Sequence, residues 1–317
     1  MPCKTALIFG AGKIARGFIA HLLTLSGFRI TFVEKSAEMV SLLRHRGKYT
    51  VKVMGAPEKS ITIGGFETLS LEDRAAAVER LATAGIVFVS IGGPNLPEIV
   101  PFVAAGVRRA VESGRTAPLN LILCENYFQP GPWLRKLILE ELAPAEAEWF
   151  TRNAGVVETL VLRSCVEPTP EMKAEDPLAL RVQDAWELPA DREALAGEPP
   201  PVQGLILKEN FQGALVRKLF TYNMINAVMA YTGYLRGYIV LSEAANAPDV
   251  LALARTASRE AGQALCRTYG FDRQDQEQFA ESAIAKYRKR EIVDPIERNA
   301  RDPLRKLSRH DRLIGPA

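Results

Sequence analysis

Lys218, Asn223 and Asn226 stand within nine residues of one another in RKLFTYNMINAVMAYTGYLRGY, residues 217–238. A lysine can take the proton of a hydroxyl while a hydride leaves its carbon, once burial and nearby positive charge lower its pKa from about 10.4. Two carboxamides can donate to a carbonyl or alkoxide oxygen and accept from neighbouring hydroxyls, which suits a polyol. On a wheel of about 100° per residue the three fall at about 0°, 140° and 80°, and so share one face. Phe220, Met224, Ala227, Val228 and Tyr231 occupy the opposite arc, the pattern of an amphipathic helix. Leu219 interrupts the polar arc, and on spacing alone the ordinary reading of Lys218 as a solvated charge stands first.

A second group is Gly10-Ala11-Gly12-Lys13-Ile14-Ala15, between an apolar run and a helical pattern. In a dinucleotide fingerprint Gly10 permits the tight turn, Gly12 lets the backbone approach a pyrophosphate, and the small Ala15 lets helix pack on strand. The helix N-terminus adds free N–H donors and the positive end of its dipole. Glu34 closes the next apolar run, where a carboxylate accepts from an adenosine ribose and repels a 2′-phosphate, favouring NAD over NADP; Lys35 partly offsets that repulsion. Gly92, in the Gly92-Gly93-Pro94-Asn95 turn, and Asn126, at the end of LNLILCEN, are further cofactor candidates. A purely structural turn is the alternative for both glycine pairs.

These residues require particular elements. TALIF, GAGKIARG and RITFVE read as strand, turn and helix, strand, with Ile14, Phe18, Leu22 and Leu25 as the buried stripe and Gly27 as the stop. GIVFVSIGG and LNLILCEN read as buried parallel strands separated by a helix over 96–113, and VVETLVLRSCV as a further strand. The alternation predicts a Rossmann-like doubly wound α/β sheet with ligands at the carboxyl ends of its strands. ELPADREALAGEPPPVQG, residues 187–204, reads as a linker because Pro-Pro-Pro suits neither helix interior nor central strand. Residues 1–199 are therefore expected to form an NAD-binding Rossmann-like domain, and 200–317 a mainly α-helical substrate and catalytic domain.

Length and composition agree with this division. The 317 residues suffice for about two domains at roughly 100–200 residues each. With 47% hydrophobic and 24% charged residues, collagen-like, coiled-coil and disordered readings fail, and a net charge of +3 is no nucleic-acid signal. Cys3, Cys124, Cys165 and Cys266 lack metal or disulfide spacing, and only His21, His45 and His310 supply imidazole, so no metal is expected. The opening apolar stretch is too short for a signal peptide, and no run reaches a membrane span of about 18 residues. A cytoplasmic protein without membrane or nucleic-acid partners is the expectation.

The sequence resembles the long-chain polyol-specific dehydrogenases over nearly its whole length. FGAGKIARGF, TFVEKS, LNLILCEN, RKLFTYN followed by AYTGYLRGY, and DPLRKLSRHDRLIGP carry the resemblance in order and at matching separations. It implies an NAD-dependent oxidoreductase whose signature is a lysine, four residues, an asparagine, two residues and a histidine. Lys218 and Asn223 match; Asn226 stands where the family has the histidine and cannot carry a proton near neutral pH. The resemblance also implies that Arg298 and Lys306 hold the polar end of the substrate. A guanidinium can grip two phosphate oxygens while an ammonium adds a point charge. Where the family has Asp-Arg this chain has Leu162-Arg163, leaving Arg163 as a substrate candidate. The family continues into a helical segment beyond the point where this sequence ends.

The activity so implied interconverts a sugar-alcohol phosphate and a ketose phosphate, with mannitol 1-phosphate and fructose 6-phosphate as reference pair. A dehydrogenase of an unphosphorylated polyol or hexuronate is one alternative. An NAD(H)-binding homologue impaired in catalysis, suggested by Asn226 and Leu162, is another.

Overall fold

The computed structural model describes residues 4–127, 129–309 and 311–316, so Cys3 and His310 lie outside the described residues. Two compact units divide the chain, Met1–Glu209 and Asn210–Ala317. The strands are β1 (Thr5–Phe9), β2 (Arg29–Glu34), β3 (Lys48–Met54), β4 (Ile61–Gly64), β5 (Glu67–Ser70) and β6 (Ile86–Val89), then β7 (Leu119–Leu123), β8 (Ala154–Glu158), β9 (Cys165–Val166), β10 (Leu180–Gln183), β11 (Leu188–Asp191) and β12 (Leu205–Lys208).

Six strands form one parallel sheet in the order β5-β2-β1-β6-β7-β8. This is the doubly wound arrangement expected from the sequence. Apolar residues alternate between its faces: Ala6 and Ile8 join the core that holds Phe18, Leu22 and Phe32, while Leu7 and Phe9 join the one that holds Val103 and Phe150. The strand order reverses between β1 and β6, which opens a crevice at their carboxyl ends.

Between β2 and β5 the chain inserts the helix Ala37–Arg46 and the pair β3 and β4. These join a second sheet, β4-β3-β10-β9, whose Tyr49, Val51, Leu180 and Val182 pack into the first core.

Three local expectations need correction. The helix after the glycine loop contains a π turn over Ala15–Ile19, closed by the Ala20 N–H on the Ala15 carbonyl. Phe18 and Leu22 are buried as expected, Ile19 and Leu23 widen the stripe, and Leu25 is 44% exposed at the helix end. VVETLVLRSCV is two strands, because β8 ends at Glu158 and the chain leaves the sheet before β9. The stretch 187–204 carries β11, which pairs in parallel with β12 and buries Leu188 and Ala190. Pro189 is accommodated on this two-stranded sheet, where a missing donor is tolerated.

The second unit is helical, as the sequence predicts. Its helices are Phe211–Lys218, Met224–Leu235, Leu241–Asn246, Pro248–Tyr269, Arg273–Arg288, Ile296–Asn299 and Pro303–Lys306. Pro248 at the start and Gly270, with φ of +71°, at the stop bound the longest of these. Met224, Ile225, Met229, Val250, Ile284 and Ile296 form its core. Among the described residues no helix is long and apolar enough to cross a membrane.

Candidate dinucleotide crevice and lysine site

The glycine loop leaves β1 at Gly10, whose φ of +89° and N–H bond to the Val33 carbonyl (2.8 Å) set the turn. A Cβ there would lie 2.3 Å from the Ser90 carbonyl oxygen, so only glycine fits. Around Gly12 a Cβ would meet nothing within 4 Å, and the backbone stands open to a close ligand. Glu34 ends β2 and faces this loop: its Oε2 accepts from the Ala11 N–H at 2.6 Å, and its Oε1 from the N–H groups of Lys35 and Ser36. Gly10, Gly12, Glu34, Ser36, Ser90 and Asn95 line part of a cavity of about 280 Å³. Its carboxylate, open glycine backbone and apolar walls fit the adenosine half of a dinucleotide.

The remaining cofactor candidates follow the carboxyl ends of β1, β6 and β7 in the chain. Lys13 pairs with Glu167 (2.7 Å), and Ile14 is half-buried against the core. Lys35, which the sequence sets against Glu34, instead pairs with Glu98 at 2.8 Å. Gly92 follows β6 with φ of +87°. Its N–H and that of Ile91 both donate to Glu125 Oε1, at 3.2 and 2.8 Å. Asn126, the next residue, is exposed. Burial pushes the Glu125 carboxyl up to about 7 against those two bonds. Glu125 was not singled out from the sequence, although its place directly after a buried strand run was a usable signal.

In the second unit Lys218 ends one helix and a π turn over Leu219–Asn223 follows, closed by the Met224 N–H on the Leu219 carbonyl. Residues five apart lie about 140° apart on an α-helix, and a turn closed by i→i+5 bonds shrinks that offset. The spacing of Lys218 and Asn223 thus matches the local helix. Among the described residues neither side chain has a hydrogen-bond or ion-pair partner, although Lys218 is only partly accessible. Desolvation, followed by the charges of Lys286 and Arg312, lowers the Lys218 ammonium to about 8. Asn226 donates from Nδ2 to Asn299 Oδ1 at 3.1 Å.

Lys306, 5% exposed, donates to the Asn299 backbone carbonyl and lies 5.5 Å from the Tyr231 ring centroid. Asn299 therefore links Asn226 and Lys306. Desolvation and then the charges of Arg312 and Arg305 lower Lys306 to about 8, against the pull of Asp302 and Asp311. Arg298 is placed differently from the expectation for a free anion clamp: Nε and Nη2 make a two-pronged ion pair with Asp294, at 2.8 and 2.7 Å. Arg312, missed in the sequence, is 6% exposed and is held by its own Asp311, Nε to Oδ1 at 2.7 Å.

Arg163 is enclosed by residues of its own unit. It is 2% exposed, donates to the carbonyls of Gln183 (2.9 Å) and Gly17 (3.1 Å), and stacks 4.3 Å from the Trp186 ring. His21 Nδ1 lies 3.2 Å from its Nη1, and burial followed by the Arg163 charge drops the imidazole to about 4. A guanidinium so enclosed bridges the first helix and the second sheet, and its Nη2 is buried without a hydrogen-bond partner among the described residues.

Comparison with known proteins complements this geometry. Residues 4–203 match the mannitol dehydrogenase Rossmann domain and 213–317 the mannitol dehydrogenase C-terminal domain. Mannitol-1-phosphate 5-dehydrogenase of Bacillus velezensis is 35% identical over 98% of this chain and 82% of its own length. The enzyme of that name from Brevibacillus brevis is 34% identical over 98% of this chain and 80% of its own. Among solved structures, a substrate-free D-sorbitol dehydrogenase has a TM-score of 0.77 at 19% identity, covering 95% of this chain and 73% of that one. Pseudomonas fluorescens mannitol 2-dehydrogenase with NAD and D-mannitol has 0.78 at 17%, covering 94% and 71%. At such identities the two structures speak to the fold alone.

Proposed function

The chain belongs to the mannitol dehydrogenase family, and from that premise we propose that it is an NAD-dependent oxidoreductase interconverting a sugar-alcohol phosphate and a ketose phosphate, of the mannitol 1-phosphate and fructose 6-phosphate type. The observation that carries this reading is Lys218: a desolvated, unpartnered ammonium beside other cations, poised near pH 8 in a chain of this family. NAD supplies the hydride acceptor when bound. Gly10, Ala11, Gly12, Lys13, Ile14, Glu34, Gly92 and Asn126 are the residues assigned to hold it.

As a neutral amine Lys218 accepts the hydroxyl proton of the polyol, and as an ammonium it returns a proton to the ketose oxygen. Asn223, its amide unengaged, donates to that oxygen. Asn226 is oriented by Asn299 and takes the position of the family histidine as a positioning amide that does not titrate. Lys306 supplies positive charge for the phosphate, and Arg298 joins it if it exchanges Asp294 for the substrate.

The engagement of Arg298 by Asp294 favours a second reading, a dehydrogenase of an unphosphorylated polyol or hexuronate. NADH oxidation with fructose 6-phosphate, fructose and fructuronate, on wild type and Lys218→Ala, tests both. Turnover that requires the phosphate and vanishes in Lys218→Ala supports the first; equal or better turnover of the unphosphorylated compounds supports the second.

A further inference from the structure

We propose that Arg312, rather than Arg298, is the guanidinium that grips the anionic end of the substrate, a phosphate monoester dianion, together with Lys306. The proposal rests on the sugar-phosphate reading and assigns its binding fork.

A fork that recognises phosphate needs two free N–H groups, a fixed plane and a site poor in competing carboxylates. Arg298 fails the first requirement, since Asp294 accepts from both Nε and Nη2. Arg312 meets it. Only its Nε is engaged, on Asp311 Oδ1, and among the described residues Nη1 and Nη2 have no partner. They are also not sealed in the core, because neither is among the buried unpaired atoms. Asp311 fixes the plane, accepting from the Arg312 backbone N–H as well, while its second oxygen takes Arg305 Nη1 at 3.1 Å. Asp311 is thus occupied on both oxygens and orients the guanidinium without covering its outer edge.

Arg312 is also the charge that connects the two lysines. The next residue, Leu313, donates its N–H to the Lys306 carbonyl at 3.4 Å, which holds Arg312 beside that lysine, and the Arg312 charge opposes protonation of Lys306 and Lys218. Lys218, Lys306 and Arg312, with Arg305 and Lys286 adding to them and only Asp302 and Asp311 opposing, carry an excess of positive charge that a dianion would offset. Bound phosphate relieves the repulsion, and because Arg312 stands near Lys218 as well as Lys306, it ties recognition of the charged end to placement of the reacting hydroxyl.

The test is the ratio of kcat/KM for fructose 6-phosphate to that for fructose, in wild type, Arg312→Met, Arg312→Lys and Arg298→Met, with NADH binding and melting temperature measured on each. Wild type is expected to favour the phosphate, and Arg312→Met to reduce the ratio by about 30-fold or more, chiefly through KM. Arg312→Lys keeps the charge and loses the fork; it is expected to fold even if the methionine variant does not, and to reduce the ratio about tenfold. A wild-type preference that survives in both Arg312 variants, or that collapses only in Arg298→Met, overturns the proposal and leaves the sugar-phosphate reading standing. A wild type without preference for the phosphate overturns that reading, and the proposal with it.

Discussion

Glu34 Oε2 accepts a hydrogen bond from the Ala11 N–H at 2.6 Å, so the carboxylate that ends β2 is fastened to the loop that leaves β1. One side chain therefore sets the loop, and on the proposed reading it also meets the adenosine ribose. Glu34→Ala is expected to weaken NADH binding by about tenfold, the value of a charge-assisted bond of roughly 1.5 kcal/mol, and to relax the discrimination against NADPH. Fluorescence titration with both nucleotides checks this; unchanged selectivity would remove Glu34 from the ribose site.

On the proposed mechanism Lys218 gives the reaction a pH signature. Its conjugate acid sits near 8, so the neutral amine accumulates above that value. For polyol phosphate oxidation kcat/KM is expected to climb through about pH 8 to a plateau, and for ketose phosphate reduction to fall over the same range. Lys218→Ala should lower kcat by about 10² to 10⁴ in both directions, with NADH binding retained. Rate profiles from pH 6 to 10 provide the measurement, and a flat profile would count against lysine as the proton carrier.

Gly10→Ala would place a methyl carbon 2.3 Å from the Ser90 carbonyl oxygen at a φ of +89°. A cost of about 2 kcal/mol or more is expected, together with loss of NADH affinity. Melting temperature and titration report the two effects separately. Gly12→Ala, where the added carbon meets no protein atom, should melt close to wild type and lose affinity only.

Arg163 is expected to matter for stability and little for catalysis. Arg163→Met removes the donors to the Gln183 and Gly17 carbonyls and the stacking on Trp186, for a loss of about 2–4 kcal/mol. Urea unfolding should move strongly while the substrate KM of the folded enzyme moves little. A large rise in KM at near-normal stability would restore Arg163 to the substrate site.

The neighbouring His21 adds an acid limit. Its folded pKa of about 4 lies below the ordinary 6.5, so between those values the unfolded chain binds more protons and stability increases with pH. The contribution is complete above about 6.5 and is lost as pH falls towards 4. Replacing the imidazole in His21→Asn should flatten the wild-type loss of melting temperature across that window.

Much of the first unit was legible because burial on both faces writes a sheet directly into composition: TALIF, RITFVE and LNLIL each carry a mainly apolar buried run, and each is a strand of the parallel sheet. The tight turn at Gly10 and the place of Glu34 at the end of β2 were legible because a positive φ and a strand-end carboxylate have few substitutes. The burial of Arg163 was not, since the carbonyls that accept from it come from Gly17 and Gln183, distant in sequence. Arg298 and Arg312 look alike in a chain rich in arginine; what separates them is which aspartate reaches which nitrogen, a tertiary fact. Both π turns were hidden because the same apolar residues satisfy i→i+4 and i→i+5 ladders, and packing decides between them.

The π turn at Leu219–Asn223 makes residue count itself a constraint. The helix before it and the helix after it are anchored independently, and the surplus residue reconciles their phases. Deleting Leu219 would let the ladder relax to i→i+4 without re-phasing the helix that follows, because the π turn already stores the surplus residue. Met224, Ile225 and Met229 would stay on the core and Asn226 beside Asn299. Loss of one residue within the turn should therefore be tolerated better than loss of one from the α-helices on either side, which turns all that follows by about 100°, a sensitivity to length rather than to chemistry.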